Sequence, residues 1–154
     1  MRPTPEELCA RLKREAVFSF LDGSDIAELP GFFECRQVDA GETLWREGDP
    51  CDYLALIVEG KLEIKKATEF EGKEVVVGVY SSGTLAGEIC LLDGSPRAVT
   101  AVALEDTNLL ILSRTNFEKL TREHPDRSVR LLKGMLLAVS VRLRKSFERL
   151  AAIF

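Results

Sequence analysis

Apolar residues recur at two different intervals along the chain, and the change of interval divides it into three stretches. Between Glu6 and Leu21, Leu8, Leu12, Ala16 and Phe20 follow at steps of four, which predicts an amphipathic helix with Pro5 in its first turn. A short second helix is expected behind Ser24-Asp25, read as its N-cap ahead of Ile26 and Leu29, with Pro30-Gly31 as its stop. From Phe32 to Ser113 the texture changes to short β-type runs between turn residues, the signature of a sandwich or barrel rather than of alternating βα units. Seven strands are predicted: Phe32 to Val38, Thr43 to Arg46, Tyr53 to Glu59, Lys61 to Ala67, Glu74 to Tyr80, Ala98 to Ala103 and Asn108 to Leu112. Gly60 and Gly72 are placed in tight hairpins.

Behind Leu112 the helical interval returns, first over Arg114 to Thr121 and then from Pro125 to Ala152. Val129, Leu132, Leu136, Val139, Leu143, Ser146 and Leu150 alternate steps of three and four, a coiled-coil seam, while Leu131, Met135 and Ala138 add an apolar flank. Helix 125–152 therefore has two uses open to it, packing on the β region and pairing with a second copy.

Composition narrows the function classes. A chain of 154 residues reads as one domain and buries roughly 70% of its unfolded surface. The net charge of −4 argues against direct nucleic-acid binding, which needs a cationic face. Cys9, Cys35, Cys51 and Cys90 lack metal-ligand spacing, so free buried thiols and no metal are expected. There is no apolar leader and no run of roughly 20 apolar residues, which points away from the membrane and to the cytoplasm. His124 reads as an exposed linker residue, Trp45 and most of the eight phenylalanines as core, and Arg142, Arg144, Lys145 and Arg149 as a solvated face near the helix end.

One segment carries chemistry. Residues 83–100, GTLAGEICLLDGSPRAVT, interrupt the strand series. Gly87 allows close backbone approach, Ile89 to Leu92 can form one helical turn, and Arg97 can return toward Glu88 behind the Asp93-Gly94 turn. A carboxylate that accepts from hydroxyls, beside amides and an arginine that hold a phosphate, suits a ribose phosphate. The plainer alternative is an ion pair between Glu88 and Arg97 that closes a surface loop.

The two pieces Gly87-Glu88-Ile89-Cys90-Leu91-Leu92 and Pro96-Arg97-Ala98-Val99-Thr100 resemble the phosphate-binding cassette of the cyclic-nucleotide-binding domain family, as found in catabolite activator protein and the regulatory subunits of cAMP-dependent protein kinase. Residues 40–49 and 56–64 resemble the family's early strands. The resemblance implies an α+β fold: an antiparallel β-barrel or jelly roll (double-stranded β-helix) at 32–113, N-terminal helices at 1–31 and a long C-terminal helix within 114–154. It implies that Glu88 accepts from a ribose 2′-hydroxyl, that Arg97 pairs with the cyclic phosphate, and that Gly87, Glu88, Ile89, Cys90, Ala98 and Val99 line the cradle. Ala98 replaces the Thr that cGMP-selective relatives often carry, which favours cAMP and leaves cGMP as the competitor. Leu136, Val139, Arg142 or Leu143 would cap the base.

The expected ligand is thus a cyclic nucleotide, with no cofactor and no catalysis, since the segment supplies neither metal ligands nor a poised base. The C-terminal helix is the expected moving part, read by a second protomer in a homodimer or by an unidentified downstream protein. The alternative is a degenerate domain that binds no nucleotide and serves as a dimerisation or docking module.

Overall fold

The computed structural model describes residues 2–154. Eight strands form two four-stranded antiparallel sheets. They are β1 (Glu34–Val38), β2 (Thr43–Trp45), β3 (Tyr53–Glu59), β4 (Lys61–Ala67), β5 (Glu74–Ser81), β6 (Leu85–Ala86), β7 (Thr100–Ala103) and β8 (Thr107–Ser113). One sheet runs β1-β8-β3-β6 and the other β2-β7-β4-β5. The expected barrel is corrected to a two-sheet jelly-roll sandwich, because each sheet keeps its own edges and does not close on the other.

The continuous apolar runs of β3 and β8 follow from burial on both faces. Ala55, Ile57, Leu109 and Ile111 join Leu62, Ile64, Ala101 and Ala103 of the facing sheet in one core cluster. Leu54, Leu56, Val58, Leu110 and Leu112 face the opposite way, into a second cluster with Leu8, Leu12, Val17, Phe18, Leu131 and Met135. The helices are thus a third layer laid over one sheet. In β4, by contrast, buried Leu62 and Ile64 alternate with more accessible Lys61, Glu63 and Lys65, the mark of a strand with one wet face.

Several expected elements are redrawn. The first helix, α1 (Pro5–Arg11), is capped by Thr4 and stops well short of Leu21. The chain then turns into a 3-10 segment at Ala16–Phe18, which buries Val17 and Phe18. Helix α2 (Gly23–Glu28) is capped by Asp22, with Asp25 reciprocating as the third residue of a capping box rather than serving as the cap. The α-helix ends just before Pro30-Gly31, as expected, and Leu29–Phe32 follows as 3-10 helix. Gly72 does sit in the β4–β5 hairpin, but Gly60, at φ 108°, carries the chain from one sheet to the other. A side chain at Gly60 would collide with Thr107.

Three further helices follow: α3 (Glu88–Asp93), α4 (Arg114–Glu123) and α5 (Pro125–Ile153). In α5 the flank predicted as secondary is the packed one: Leu131, Gly134, Met135 and Ala138 are buried. The seam residues Val129, Leu136, Leu143 and Leu150 are about half exposed or more. At Gly134 the helix meets the backbone of the Ala16–Phe18 segment so closely that an added Cβ would overlap the Val17 carbonyl. Nearby, the fully buried Asp25 accepts from Arg127 Nε at 2.9 Å and from Arg130 Nε and Nη2 at 2.6 and 2.7 Å. This fastens α2 to the start of α5, and the Arg130 guanidinium holds the Asp25 carboxyl well below the usual carboxylate range.

His124 is exposed, as expected, with its ring edge on Phe32. Fewer phenylalanines are core than expected: Phe20, Phe70, Phe147 and Phe154 are exposed, whereas Phe18 and Phe33 are buried. No helix is long and apolar enough to cross a membrane among the described residues.

Candidate functional site

The segment between β6 and β7 gathers against the mouth of the sandwich. β6, unforeseen because it is only two residues long, pairs with β3 and delivers the chain to Gly87. Gly87 has φ 84°, and a Cβ there would strike Arg97 Nη1 and press on Trp45. The left-handed dihedral and the close approach both select glycine. Helix α3 follows, closed by Gly94 at φ 73°. Arg114 holds its far end, donating from Nη2 to the Cys90 carbonyl at 2.9 Å and from Nε to the Leu91 carbonyl at 3.2 Å.

Cys90 also corrects the thiol expectation, because it forms a disulfide with Cys51, 39 residues earlier. The bond ties α3 to the loop before β3. Cys9 and Cys35 are the free thiols among the described residues. Burial pushes Cys9 up to about 12, with Cys35 and Glu6 adding to the rise.

The two charged residues singled out in the sequence do not pair with each other. Arg97 is 3% exposed and lies in an aromatic notch, its Cζ 3.6 Å from the Trp45 ring centroid and 4.5 Å from that of Tyr53. Its Nη1 approaches Cys90 Sγ at 3.4 Å. Its Nε and Nη2 are buried without a hydrogen-bond partner, and no carboxylate among the described residues forms an ion pair with it. Burial draws its pKa down, opposed by Tyr53, Asp52 and Asp49. Its own backbone is pinned, with the amide donating to Asp49 and the carbonyl accepting from Gly48, each at 2.8 Å.

Glu88 is bound instead to Arg142 of α5. Arg142 also donates to the Leu85 carbonyl and lies over the Tyr80 ring at 4.2 Å. The solvated-face reading therefore fails for Arg142, which points inward and is only 21% exposed in its side chain. Of the four residues expected to cap a base, Arg142 is the one hydrogen-bonded to the cassette. Val139 packs on the helical core, while Leu136 and Leu143 are 68% and 52% exposed. Ile89 is also exposed, Ala98 is exposed with its carbonyl taken by Lys66 Nζ at 3.1 Å, and Val99 lies against the inter-sheet core. Among the described residues the amides of Glu88, Ile89, Ala98 and Val99 donate to no backbone carbonyl.

Sequence reasoning missed Trp45, Tyr53 and Tyr80, assigned to strands without a site role, and the partnership of Cys51. The only hint lay in Trp45 itself, a bulky aromatic directly before the polar turn Arg46-Glu47-Gly48-Asp49.

The assembled site joins a buried guanidinium with unmet donors, a nearby carboxylate and a row of backbone amides, equipment for a hydroxylated anion. Known proteins share this framework. A cyclic nucleotide-binding domain from Methylobacillus flagellatus KT is 25% identical with a TM-score of 0.85, covering 97% of this chain and 84% of that one. The regulatory domain of Toxoplasma gondii PKA, solved with cAMP, is 30% identical with a TM-score of 0.63, covering 75% and 43%. The cAMP-dependent protein kinase regulatory subunit of Blastocladiella emersonii is 29% identical over 138 residues, 87% of this chain and 34% of the subunit. Of several other curated relatives the chain spans about a quarter of the length or less. The sequence profile described as "Cyclic nucleotide-binding domain" matches residues 35–124, more than half of the chain, and the protein belongs to that family.

Proposed function

We propose that this chain is a non-catalytic sensor of a cyclic purine nucleotide, cAMP in preference to cGMP, and that α5 transmits its state. The observation that carries the reading is the division of charge at the site. Arg97 keeps buried donors without an acceptor, while Glu88 is held by a residue of α5. A cyclic phosphate would satisfy the first, and a ribose 2′-hydroxyl would compete with Arg142 for the second. Occupancy and helix position are then linked through one carboxylate, and the ligand shifts the helix only by its difference in affinity for the two arrangements.

Gly87, Glu88, Ile89, Cys90, Arg97, Ala98 and Val99 form the proposed cradle. Ala98 has no hydroxyl for a guanine amino group, and the relatives named above include a regulatory domain solved with cAMP and a regulatory subunit of a cAMP-dependent kinase. A sensor of this kind would hand its signal to a second copy or to a downstream protein through α5. The exposed seam of α5 equally supports the second reading, a docking module that needs no ligand.

Calorimetric titration of cAMP and cGMP into protein stripped by unfolding and refolding tests the choice. The sensor reading expects micromolar or tighter cAMP binding, weaker cGMP binding, intact cAMP afterwards, and a loss of about 2 kcal/mol or more in Arg97→Ala. Absence of heat for both nucleotides would leave the docking module.

A further inference from the structure

Arg97 is an unusual anion receptor while it waits, since an arginine that is 3% exposed ordinarily has a carboxylate beside it. Here its guanidinium lies on Trp45 and beside Tyr53, on strands β2 and β3 from opposite sheets. The two rings meet edge to face with centroids 5.7 Å apart, so the notch has two walls at a fixed angle. Trp45 is 5% exposed and inside the core cluster, and it cannot swing away without opening the sandwich. Gly87 closes the notch from the cassette side. The π-faces offset part of the missing ion pair without consuming the in-plane N–H donors, and Nε and Nη2 stay buried and unengaged beside them.

We propose that Trp45 and Tyr53 are positioning residues for anion capture, an aromatic seat that holds the Arg97 guanidinium in one place at the cassette before the ligand arrives. This rests on the reading of the chain as a cyclic-nucleotide sensor and adds to it the device that sets its affinity. A floppy arginine has to be ordered when the ligand binds, and the seat meets that requirement in the fold. Phe at position 45 preserves a smaller π-face; Leu preserves bulk alone.

The protein is labelled with 15N, and the Arg97 side-chain signals are recorded in wild type, Trp45→Phe and Trp45→Leu, with cAMP affinity measured on each. Arg97→Gln identifies the signals. The seat expects ring-current-shifted Arg97 resonances in the free wild type, retained in part by Phe and lost in Leu. Affinity should fall in the same order, with Leu about tenfold or more below wild type. As Trp45 is the chain's one tryptophan, its emission should also change on cAMP binding. If Trp45→Leu does not fold, the comparison of wild type with Trp45→Phe decides by the same ordering. Equal affinities, or Arg97 signals indifferent to position 45, overturn the seat while wild-type binding keeps the sensor reading. A wild type that binds neither nucleotide overturns both.

Discussion

Arg142→Ala should tighten cAMP binding. In the free protein the Arg142 guanidinium occupies Glu88, and the two side chains are only 21% and 14% exposed, so solvent screens their contact little. A hydrogen bond between charged groups contributes about 1.5 kcal/mol at the low end of its range. A bias of that size leaves roughly 7% of molecules with Glu88 open to a hydroxyl, and the apparent dissociation constant is raised by the inverse of that fraction. Removing the competitor should therefore lower Kd roughly tenfold. The measurement is calorimetry at 25 °C on the stripped protein, with Glu88→Gln alongside to show that the carboxylate is the contested group. A gain in Arg142→Ala that persists in the Glu88→Gln background would refute the argument. An affinity that is unchanged or weakened would refute it too, and would assign Arg142 to the bound state, over the base, as the sequence had suggested.

The other outcomes can be checked by melting, by amide exchange and by thiol chemistry. Asp25→Ala leaves Arg127 and Arg130 without their shared, fully buried partner and should destabilise by about 3 kcal/mol, roughly 6–12 °C in Tm for a chain of this size. Because the folded carboxyl is held below its ordinary 3.8, this contribution is present in full above that pH and fades as pH falls further, so the gap to wild type should narrow only below about pH 4. Gly134→Val should lower Tm and loosen α5 against the Ala16–Phe18 segment, seen as faster amide exchange there, since the Val17 carbonyl leaves no room for a Cβ. Reducing Cys51–Cys90 opens a link spanning 39 residues, which on chain entropy contributes about 4 kcal/mol, and Cys9 should resist alkylation until the chain unfolds.

Local features were legible in the sequence wherever one stretch of chain decides the outcome. The bounds of β3 and β4 match the prediction because turn residues bracket both runs. The Gly87–Leu92 turn was visible for the same reason. What was hidden depends on residues far apart in sequence. Glu88 and Arg142 are 54 residues apart, Cys51 and Cys90 are 39 apart, and Trp45 meets Arg97 only because the two sheets face one another. The helical repeat misled at Phe20, where the chain bends after Arg11, and in α5, where two adjacent apolar stripes compete and only close packing at Gly134 decides which is buried.

That choice of stripe also settles where α5 can bend without unfolding the core. Its last buried residue is Ala138, and in the 15 residues from there to Ile153 Val139 still packs on the helical core while Arg142 makes the hydrogen bonds to the β region. At 1.5 Å per residue this forms a rod about 22 Å long standing on a fixed base. A tilt of about 10° at Ala138 displaces the far end by roughly 4 Å, the width of a side chain. On the proposed sensor reading the distal half of α5 would serve as a lever, with Arg142 as its latch close to the pivot: a small event at one carboxylate would be magnified at Phe147, Leu150 and Ile153, which are all exposed.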